Sequence, residues 1–201
     1  MEKFILAKKI RMTQIWKDDK IVPITLLEAG PCSVAQLMNK EKDGHRAVQI
    51  GFQKMAERKI TKSRKNKPFV YLKEFRVGDG ENKEGMKKDD IIDVSIFQEG
   101  EKVKVSAVAK GKGFQGAVKR WGFSGRKRTH GVKHEARTIG SVGMSFPQRV
   151  LKGKRMPGRT GGKRITVKNL EIAKIDKEKN QIALKGAVPG RKGTVVEIYE
   201  G

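Results

Sequence analysis

The most distinctive stretch of the sequence is KGKGFQGAVKRWGFSGRKRTHGVKHEARTIGSVGMSFPQRVLKGKRMPGRTGGKR, residues 110–164. It holds 16 Lys and Arg, 12 Gly and a single acid, Glu135. Its aromatic and thioether side chains recur without a sustained period of 2 or 3.6, so no continuous strand or helix is predicted. Its like charges repel, and it has little apolar surface to offset the entropy lost on ordering. We therefore predict that it needs a polyanion to hold it in one shape.

Composition alone also allows residues 110–164 to be a disordered, solvated loop. The aromatic residues favour binding instead, because a merely solvated linker has no use for Trp121 or Phe146. The glycines would let the backbone approach a partner closely, and the arginines can bind phosphate through two hydrogen bonds.

Charge, length and cysteine content bound the class of protein. The chain has 201 residues and a formal net charge of +24, more than half of it within 110–164. A positive field this strong is typical of proteins that bind nucleic acid or an anionic membrane.

No apolar run approaches the roughly 20 residues of a membrane span, and Lys8, Lys9 and Arg11 interrupt the N-terminal apolar run, which argues against a signal peptide. The lone Cys32 allows no internal disulfide, so we expect a reduced, cytoplasmic protein.

Short strands are predicted on both sides of the basic stretch. β-Branched and aromatic residues between turn signals predict strands over 4–10, 12–16, 21–27, 33–37, 47–52, 69–77, 91–97, 103–109, 165–170, 171–175, 181–185 and 194–199. Pro23 is expected at a sheet edge or a strand start. The basic run 54–67 is predicted as a surface helix that ends before Pro68, and residues 78–90 as a loop.

The fold class expected from these patterns is mainly β. Residues 1–109 and 165–201 are predicted to form one antiparallel β-barrel. Residues 110–164 are predicted to be a long insertion between two strands of this barrel. Loops this long inside a compact domain are usually functional, so the site is expected there.

Three patterns that resemble nucleotide or metal motifs are rejected. The glycines of 111–116 follow a predicted strand but lack the helix and the acid about 20 residues on that a dinucleotide fold requires. Residues 157–164 depart from a Walker loop at both ends. His130 and His134 lie four residues apart, but Gly131 interrupts any helix between them and no third ligand is evident. No catalytic residue, metal or cofactor is predicted.

Cations interleaved with aromatic residues are typical of RNA binding. Lys and Arg neutralise phosphates, and planar side chains stack on unpaired bases. No helix-turn-helix, zinc finger or heptad pattern supports sequence-specific binding to DNA. The stretch therefore predicts structured RNA with exposed loops as the partner.

Several segments resemble one known family. They are KGKGFQGAVKRWGF (110–123), Thr129-His130-Gly131, GSVG (140–143), LKGKRMPGR (151–159), KKIRMTQIW (8–16), EAGPCSV (28–34), AVQIGF (47–52) and GAVPG (186–190). In these segments and in their order, the chain closely resembles the bacterial ribosomal protein L-three family, the third protein of the large ribosomal subunit. The resemblance covers nearly the whole chain.

The resemblance implies a β-barrel of the kind shared with translation factors, with a basic extension that runs through rRNA toward the peptidyl transferase centre. It implies direct binding to large-subunit rRNA early in assembly, beside neighbouring large-subunit ribosomal proteins. It implies no enzymatic activity, small-molecule substrate, cofactor or membrane contact. The alternative is an RNA-binding chaperone outside the ribosome.

The charge pattern and the resemblance together select the candidate rRNA-binding residues. Ser145 and Phe146 are the candidates for the residues nearest the catalytic centre. The full set is Lys110, Lys112, Phe114, Gln115, Lys119, Arg120, Trp121, Arg126, Lys127, Arg128, His130, Lys133, His134, Arg137, Ser145, Phe146, Arg149, Lys152, Lys154, Arg155, Arg159, Lys163 and Arg164.

Overall fold

The computed structural model describes residues 3–17, 19–77 and 86–201. The chain divides into two compact units. The globular unit comprises Met1–Val108 and Arg164–Gly201, and the basic segment comprises Ala109–Lys163. Val108 pairs with Arg164 in the globular unit, so the basic segment leaves and rejoins that unit at neighbouring residues.

The described chain is built mainly of strands with two short helices. The strands are β1 (Phe4–Lys17), β2 (Lys20–Ala29), β3 (Cys32–Met38), β4 (Ala47–Lys54), β5 (Phe69–Arg76), β6 (Ile91–Ile92), β7 (Lys102–Val108), β8 (Gly113–Gln115), β9 (Gly158–Thr160), β10 (Arg164–Asp176), β11 (Gln181–Lys185) and β12 (Val195–Glu200). The helices are α1 (Lys40–Asp43) and α2 (Ala117–Trp121).

The described residues of the globular unit form two antiparallel sheets. Six strands pair in the cyclic order β1-β12-β7-β10-β11-β2 and so form a closed barrel. A second sheet of four strands has the order β5-β4-β3-β6. The expectation of a mainly β chain with antiparallel sheets is confirmed. The expectation that all the strands outside the basic stretch form one barrel is wrong, because β3 to β6 pair among themselves.

One hydrophobic core joins the two sheets of the globular unit. Leu6, Leu27 and Ile198 are fully buried in it. Phe4 of β1 stacks on Phe75 of β5 with ring centroids 4.5 Å apart. Burying a side chain of this size contributes about 1.5–3 kcal/mol relative to leaving it exposed, so these contacts give the globular unit its stability.

Gly51 in β4 makes room for an aromatic ring in the second sheet. A Cβ added at this glycine would lie 2.3 Å from the ring of Phe69. Any larger residue at Gly51 would therefore displace Phe69, which is buried against the sheet.

Strand β1 runs without interruption where the sequence predicts two strands. Its pairing with β2 shifts register between Lys9 and Arg11. Lys9 is buried, and its Nζ donates to the backbone oxygens of Val188 at 2.6 Å and Gly190 at 3.2 Å. These carbonyls accept hydrogen bonds from the Lys9 ammonium group, so this lysine can be buried although it interrupts the apolar residues of the sequence.

Two other predictions of local structure can be compared with the observed elements. Residues 54–67 form two short 3₁₀ turns, Glu57–Lys59 and Lys62–Arg64, and no α-helix. Pro23 lies within β2 opposite Gln14 rather than at its start. The pairing of β2 with β11 ends at Ile24, so Pro23 lies at an edge of that pairing, which is one of the two predicted positions.

In the region predicted to be a loop over 78–90, residues 78–85 lie outside the described part of the chain, and residues 86–90 contain no strand or helix. The predicted strand 91–97 is reduced to β6 and a 3₁₀ turn. None of the helices in the described residues is long and apolar enough to cross a membrane.

Candidate nucleic-acid interface

The two ends of the basic segment are tied together by backbone hydrogen bonds. Ala109 N donates to Lys163 O over 2.9 Å, and Lys112 N donates to Thr160 O over 2.9 Å. Strands β8 and β9 continue this antiparallel pairing for three residues. The segment therefore begins and ends as a two-stranded ribbon.

Two glycines allow the backbone of the segment to pack against itself. Gly161 has a φ of +73°, and a Cβ there would lie 2.2 Å from the carbonyl oxygen of Lys110. Gly125 has a φ of +71°, and a Cβ there would lie 2.4 Å from the carbonyl oxygen of Ala136. Both positions need a left-handed backbone and no side chain, which only glycine provides without strain.

Trp121 at the end of α2 links the two arms of the segment. Its Nε1 donates to the backbone oxygen of Met156 over 2.9 Å, and Nη1 of Arg120 donates to the same oxygen over 2.8 Å. The guanidinium groups of Arg120 and Arg155 lie 5.0 and 5.6 Å from the centre of the indole ring. The arrangement suits cation–π attraction, so Trp121 holds residues around 120 and 156 together.

The segment between α2 and β9 consists of turns held by few contacts. Arg126 Nη1 contacts Glu135 Oε2, and Arg126 N donates to Ala136 O over 3.0 Å. The side chains of Arg126 and Glu135 are 61% and 62% exposed, so this ion pair contributes little to stability. Its effect is to neutralise the one acid of the segment.

The segment exposes large apolar side chains to solvent. Met144 is 88% exposed, Phe146 77% and Phe114 74%. Ala117 is the one buried residue of Ala109–Lys163, all of which the structure describes. Large apolar groups left uncovered among cations mark a binding surface rather than a core.

The candidate rRNA-binding residues all lie at the surface. Gln115 and Arg120 are half-buried, and the other 21 are exposed. Arg164 belongs to the globular unit, and the others belong to the basic segment. The structure thus leaves every one of them accessible to a partner, and their role as contacts stays a prediction.

The positive charge of the basic segment is almost uncompensated. It contains 15 Lys and Arg, and its sequence includes only Glu135 as an acid. Arg126 alone among these cations forms an ion pair within the described residues. A field of this kind attracts polyanions, and it repels itself in their absence.

A second cluster, which the sequence analysis missed, surrounds Glu197 of β12. Tyr199 OH donates to Glu197 Oε2 over 2.7 Å, and Lys73 Nζ lies 3.3 Å from Glu197 Oε1. Arg164 Nη2 contacts Glu197 Oε2 and donates to Tyr199 OH over 3.0 Å. The feature of the sequence that could have indicated this cluster is an acidic residue, Glu197, among the β-branched residues of β12.

The neighbours of Glu197 keep it ionised. Burial raises the pKa of its carboxyl, but the hydrogen bonds from Tyr199 and Arg164 and the charge of Lys73 outweigh that effect, so the pKa lies below its ordinary value. Burial, together with the bond to Glu197, raises the pKa of the Tyr199 hydroxyl to about 12. The bond to Glu197 also raises the pKa of Arg164. Arg164 and Lys73 are therefore held in place by a fixed negative charge.

The histidines of the basic segment lie at the surface. His130 and His134 are both exposed. Over the described ranges 3–17, 19–77 and 86–201, no group of three His, Cys, Asp or Glu could hold a metal ion. Buried Cys32 has a pKa raised to about 12, mainly by burial, so it remains a thiol.

The fold and this surface define a class: a mainly β protein whose exposed, cationic, glycine-rich segment lies between two strands of a globular unit. Comparison with known proteins narrows the class. The family described as Ribosomal protein L3 matches residues 56–187. The chain belongs to the ribosomal protein L3 family.

Individual relatives match almost the whole chain. The large ribosomal subunit protein uL3 of Fervidobacterium nodosum is 48% identical, over 98% of this chain and 97% of the relative. The corresponding protein of Petrotoga mobilis is 47% identical, over 98% and 95%. That of Carboxydothermus hydrogenoformans is 43% identical, over 100% and 98%. These relatives are all named as proteins of the large ribosomal subunit.

Proposed function

We propose that this chain is a structural component of the large ribosomal subunit in the cytoplasm. It binds large-subunit rRNA directly through the basic segment and does so early in assembly. Neighbouring large-subunit ribosomal proteins are its other partners. The closed barrel is of the kind shared with translation factors, and residues 110–164 are the extension that enters rRNA.

The observation that carries this proposal is the combination of charge and exposure in the basic segment. Fifteen cations accompany one acid, and that acid contacts Arg126. A segment with only Ala117 buried cannot stabilise itself by burial. Phosphates neutralise the cations, and unpaired bases cover the exposed aromatic rings.

The apex of the segment is proposed to approach the peptidyl transferase centre. Met144 and Phe146 are exposed, and no cation lies between them and Arg149. Such a tip suits packing among bases, while the cations of both arms suit phosphates. The return from Ser145 to Arg164 could span at most about 60 Å, at roughly 3.3 Å per extended residue.

The salt dependence of rRNA affinity tests the proposal. If the segment neutralises about 8–10 phosphates, the slope of log affinity against log salt should be about −6 to −9. A filter-binding or fluorescence titration of the full chain with transcribed large-subunit rRNA at several salt concentrations measures it. A slope shallower than about −2 would mean that these cations do not meet phosphates.

Co-sedimentation separates a ribosomal component from a free RNA chaperone. A tagged copy of the chain expressed in cells is expected in large-subunit particles after a wash at high salt. Recovery of the tagged chain only in fractions lighter than the particles would contradict a structural place in the subunit.

A further inference from the structure

The globular unit contains a cleft that the proposed role of the basic segment does not use. Its volume is about 510 Å³. It lies where β5, β7, β10 and β12 approach the loop that precedes β12. Four cations line it: Arg64, Lys73, Arg164 and Arg191.

The charge of this cleft is positive and partly fixed in position. Among the lining residues that the structure describes, Glu197 is the one acid, against four cations. Its carboxylate contacts Arg164 and lies 3.3 Å from Lys73 Nζ, so it holds these two side chains at the cleft. Arg64 and Arg191 form no ion pair in the part of the chain that the structure describes. Two guanidinium groups are therefore available for a ligand anion.

The same cleft offers an apolar wall. Val70 is 41% exposed and Val108 is 53% exposed, and both line it beside Tyr71. Tyr71 is half-buried, with its ring centroid 6.4 Å from that of Phe52. An anion alone would have no use for this wall. A ligand that is anionic on one side and planar or apolar on the other would use both.

We propose that this cleft binds an unpaired RNA segment, with one or two phosphates on Arg64 and Arg191 and a ribose or base against Val70, Val108 and Tyr71. Arginine suits phosphate because its planar group donates two parallel hydrogen bonds. A cleft of this size accommodates a ligand of one or two nucleotides, since small-ligand sites span roughly 300–1,000 Å³. The inference rests on the proposed function to the extent that rRNA supplies the segment.

The test compares two charge-matched variants of the full chain. Arg64→Gln combined with Arg191→Gln removes the two unpaired cations of the cleft. Lys177→Gln combined with Lys179→Gln removes two exposed cations from the turn between β10 and β11. Since all four side chains are exposed, both variants are expected to melt at the temperature of the parent chain.

The probe is a fluorescein-labelled oligouridine of 20 nucleotides. The cleft variant is expected to bind it about 10-fold more weakly at 0.1 M salt. Its log–log salt slope should be shallower by about 1.4, because each phosphate contact on a single strand contributes about 0.7. Some loss of affinity is expected from any removal of charge, so the turn variant, which should stay within about twofold of the parent, is the reference. Equal losses in the two variants would overturn the proposal.

Photocrosslinking tests where RNA binds on the protein, and an acidic polypeptide tests whether the cleft prefers RNA. Oligouridine that carries 4-thiouridine is expected to crosslink to the β5 peptide containing Tyr71 in the parent chain, and much less in the cleft variant. Crosslinks confined to Ala109–Lys163 would show that the oligouridine does not bind in the cleft, and the proposal would be wrong. If the cleft variant loses affinity for polyglutamate and keeps it for oligouridine, the cleft binds an acidic protein segment and the proposal is wrong.

Failure of the cleft is distinguishable from failure of the proposed function. A triple variant, Arg126→Ala, Lys127→Ala and Arg128→Ala, changes only the basic segment. If it weakens rRNA binding while the cleft variant binds like the turn variant, the proposed function stands and the cleft inference falls. If neither variant binds rRNA more weakly than the turn variant, both ideas fail.

Discussion

The globular unit and the basic segment of the same chain hold their shapes by different means. In the globular unit, buried side chains from both sheets pack into one core, with Leu6, Leu27 and Ile198 fully enclosed. In the basic segment, only Ala117 is buried, and the chain is held by a short ribbon, close-packed glycines and Trp121. The first kind of order comes from the hydrophobic effect, whereas the second depends on contacts that a partner can reinforce.

The two regions also differ in how their charges are compensated. In the globular unit, carboxylates such as Glu197, Glu171 and Glu101 each contact at least one lysine or arginine. In the basic segment, 15 cations share one acid. Charge therefore contributes to the order of the globular unit and opposes the order of the basic segment until anions arrive.

The largest expected effect is on the core of the globular unit. Leu27→Ala removes a fully buried side chain and should lower the free energy of unfolding by about 2–5 kcal/mol. Chemical denaturation followed by circular dichroism measures this. The matched variant Met144→Ala, at an 88% exposed position of the basic segment, should stay within about 0.5 kcal/mol of the parent. If both variants lose the same free energy of unfolding, burial does not distinguish the globular unit from the basic segment.

The next effect concerns rRNA affinity rather than stability. The Arg126, Lys127 and Arg128 triple alanine variant should bind rRNA about 10- to 100-fold more weakly, with a salt slope shallower by about 2–3. Its free energy of unfolding should be unchanged, because the ion pair of the Arg126 side chain is with an exposed carboxylate and the backbone hydrogen bond of Arg126 is kept. A control with Lys40, Lys42 and Lys177 changed to Ala removes the same charge from exposed positions of the globular unit, two in α1 and one in the turn between β10 and β11. If the control loses as much affinity, net charge alone governs binding.

A smaller effect is expected at Glu197, and it depends on pH. Because the pKa of Glu197 is lower in the folded chain than its ordinary value of 4.5, ionisation stabilises the fold above that pH. This contribution disappears as the pH falls through the folded pKa. Glu197→Gln should therefore lower the free energy of unfolding by about 1–2 kcal/mol at pH 7.

The pH series supplies the control for Glu197. The difference between Glu197→Gln and the parent should shrink as the pH falls below 4.5. Glu178→Gln, at an exposed turn, should match the parent throughout. A loss that is the same at pH 7 and at pH 3 would mean that packing of the side chain, and not its charge, stabilises the fold.

The smallest effect on stability and affinity is expected at the apex. Phe146→Ala removes a 77% exposed ring, so the free energy of unfolding should change by less than about 0.5 kcal/mol. The rRNA affinity should also be nearly unchanged, since no charge is lost. Peptidyl transfer or antibiotic response of reconstituted particles should nevertheless change. Particles that assemble poorly but transfer peptides normally would make the apex an assembly contact.

Local sequence patterns predicted most of the strands but not their partners. Alternation of apolar and polar residues identified strands such as β11, Gln181–Lys185, at its observed bounds. Alternation shows which face is buried and carries no information on which strand lies beside it. The division into a six-stranded barrel and a four-stranded sheet therefore could not be read from the pattern.

Two misjudged elements depend on contacts specific to their positions. The strand expected over 91–97 stops because Asp93 Oδ1 accepts a hydrogen bond from Val94 N and favours a 3₁₀ turn. The break expected between 4–10 and 12–16 is only a shift in the register of β1 with β2 between Lys9 and Arg11, and the backbone carbonyls that bind the adjacent Lys9 lie more than 170 residues away. Neither contact has a signature in local hydrophobicity.

The candidate site was predictable in its composition and less so in its geometry. Charge density and glycine content predicted an exposed segment, and the structure places the candidate residues at the surface, while their contacts with rRNA stay a prediction. The link from Trp121 to Met156 joins residues 35 positions apart, so no local pattern reveals it. The Glu197 cluster likewise assembles from three strands, β5, β10 and β12.

Hydrogen exchange of the full chain, with and without large-subunit rRNA, tests the contrast between the two regions most directly. Barrel amides in β1, β7 and β12 should be protected in both states. Amides between Lys110 and Lys163 should exchange fast in the free protein and become protected when rRNA is bound. If the basic segment and the barrel strands are equally protected in the free protein, and adding rRNA changes nothing, then rRNA does not order the basic segment.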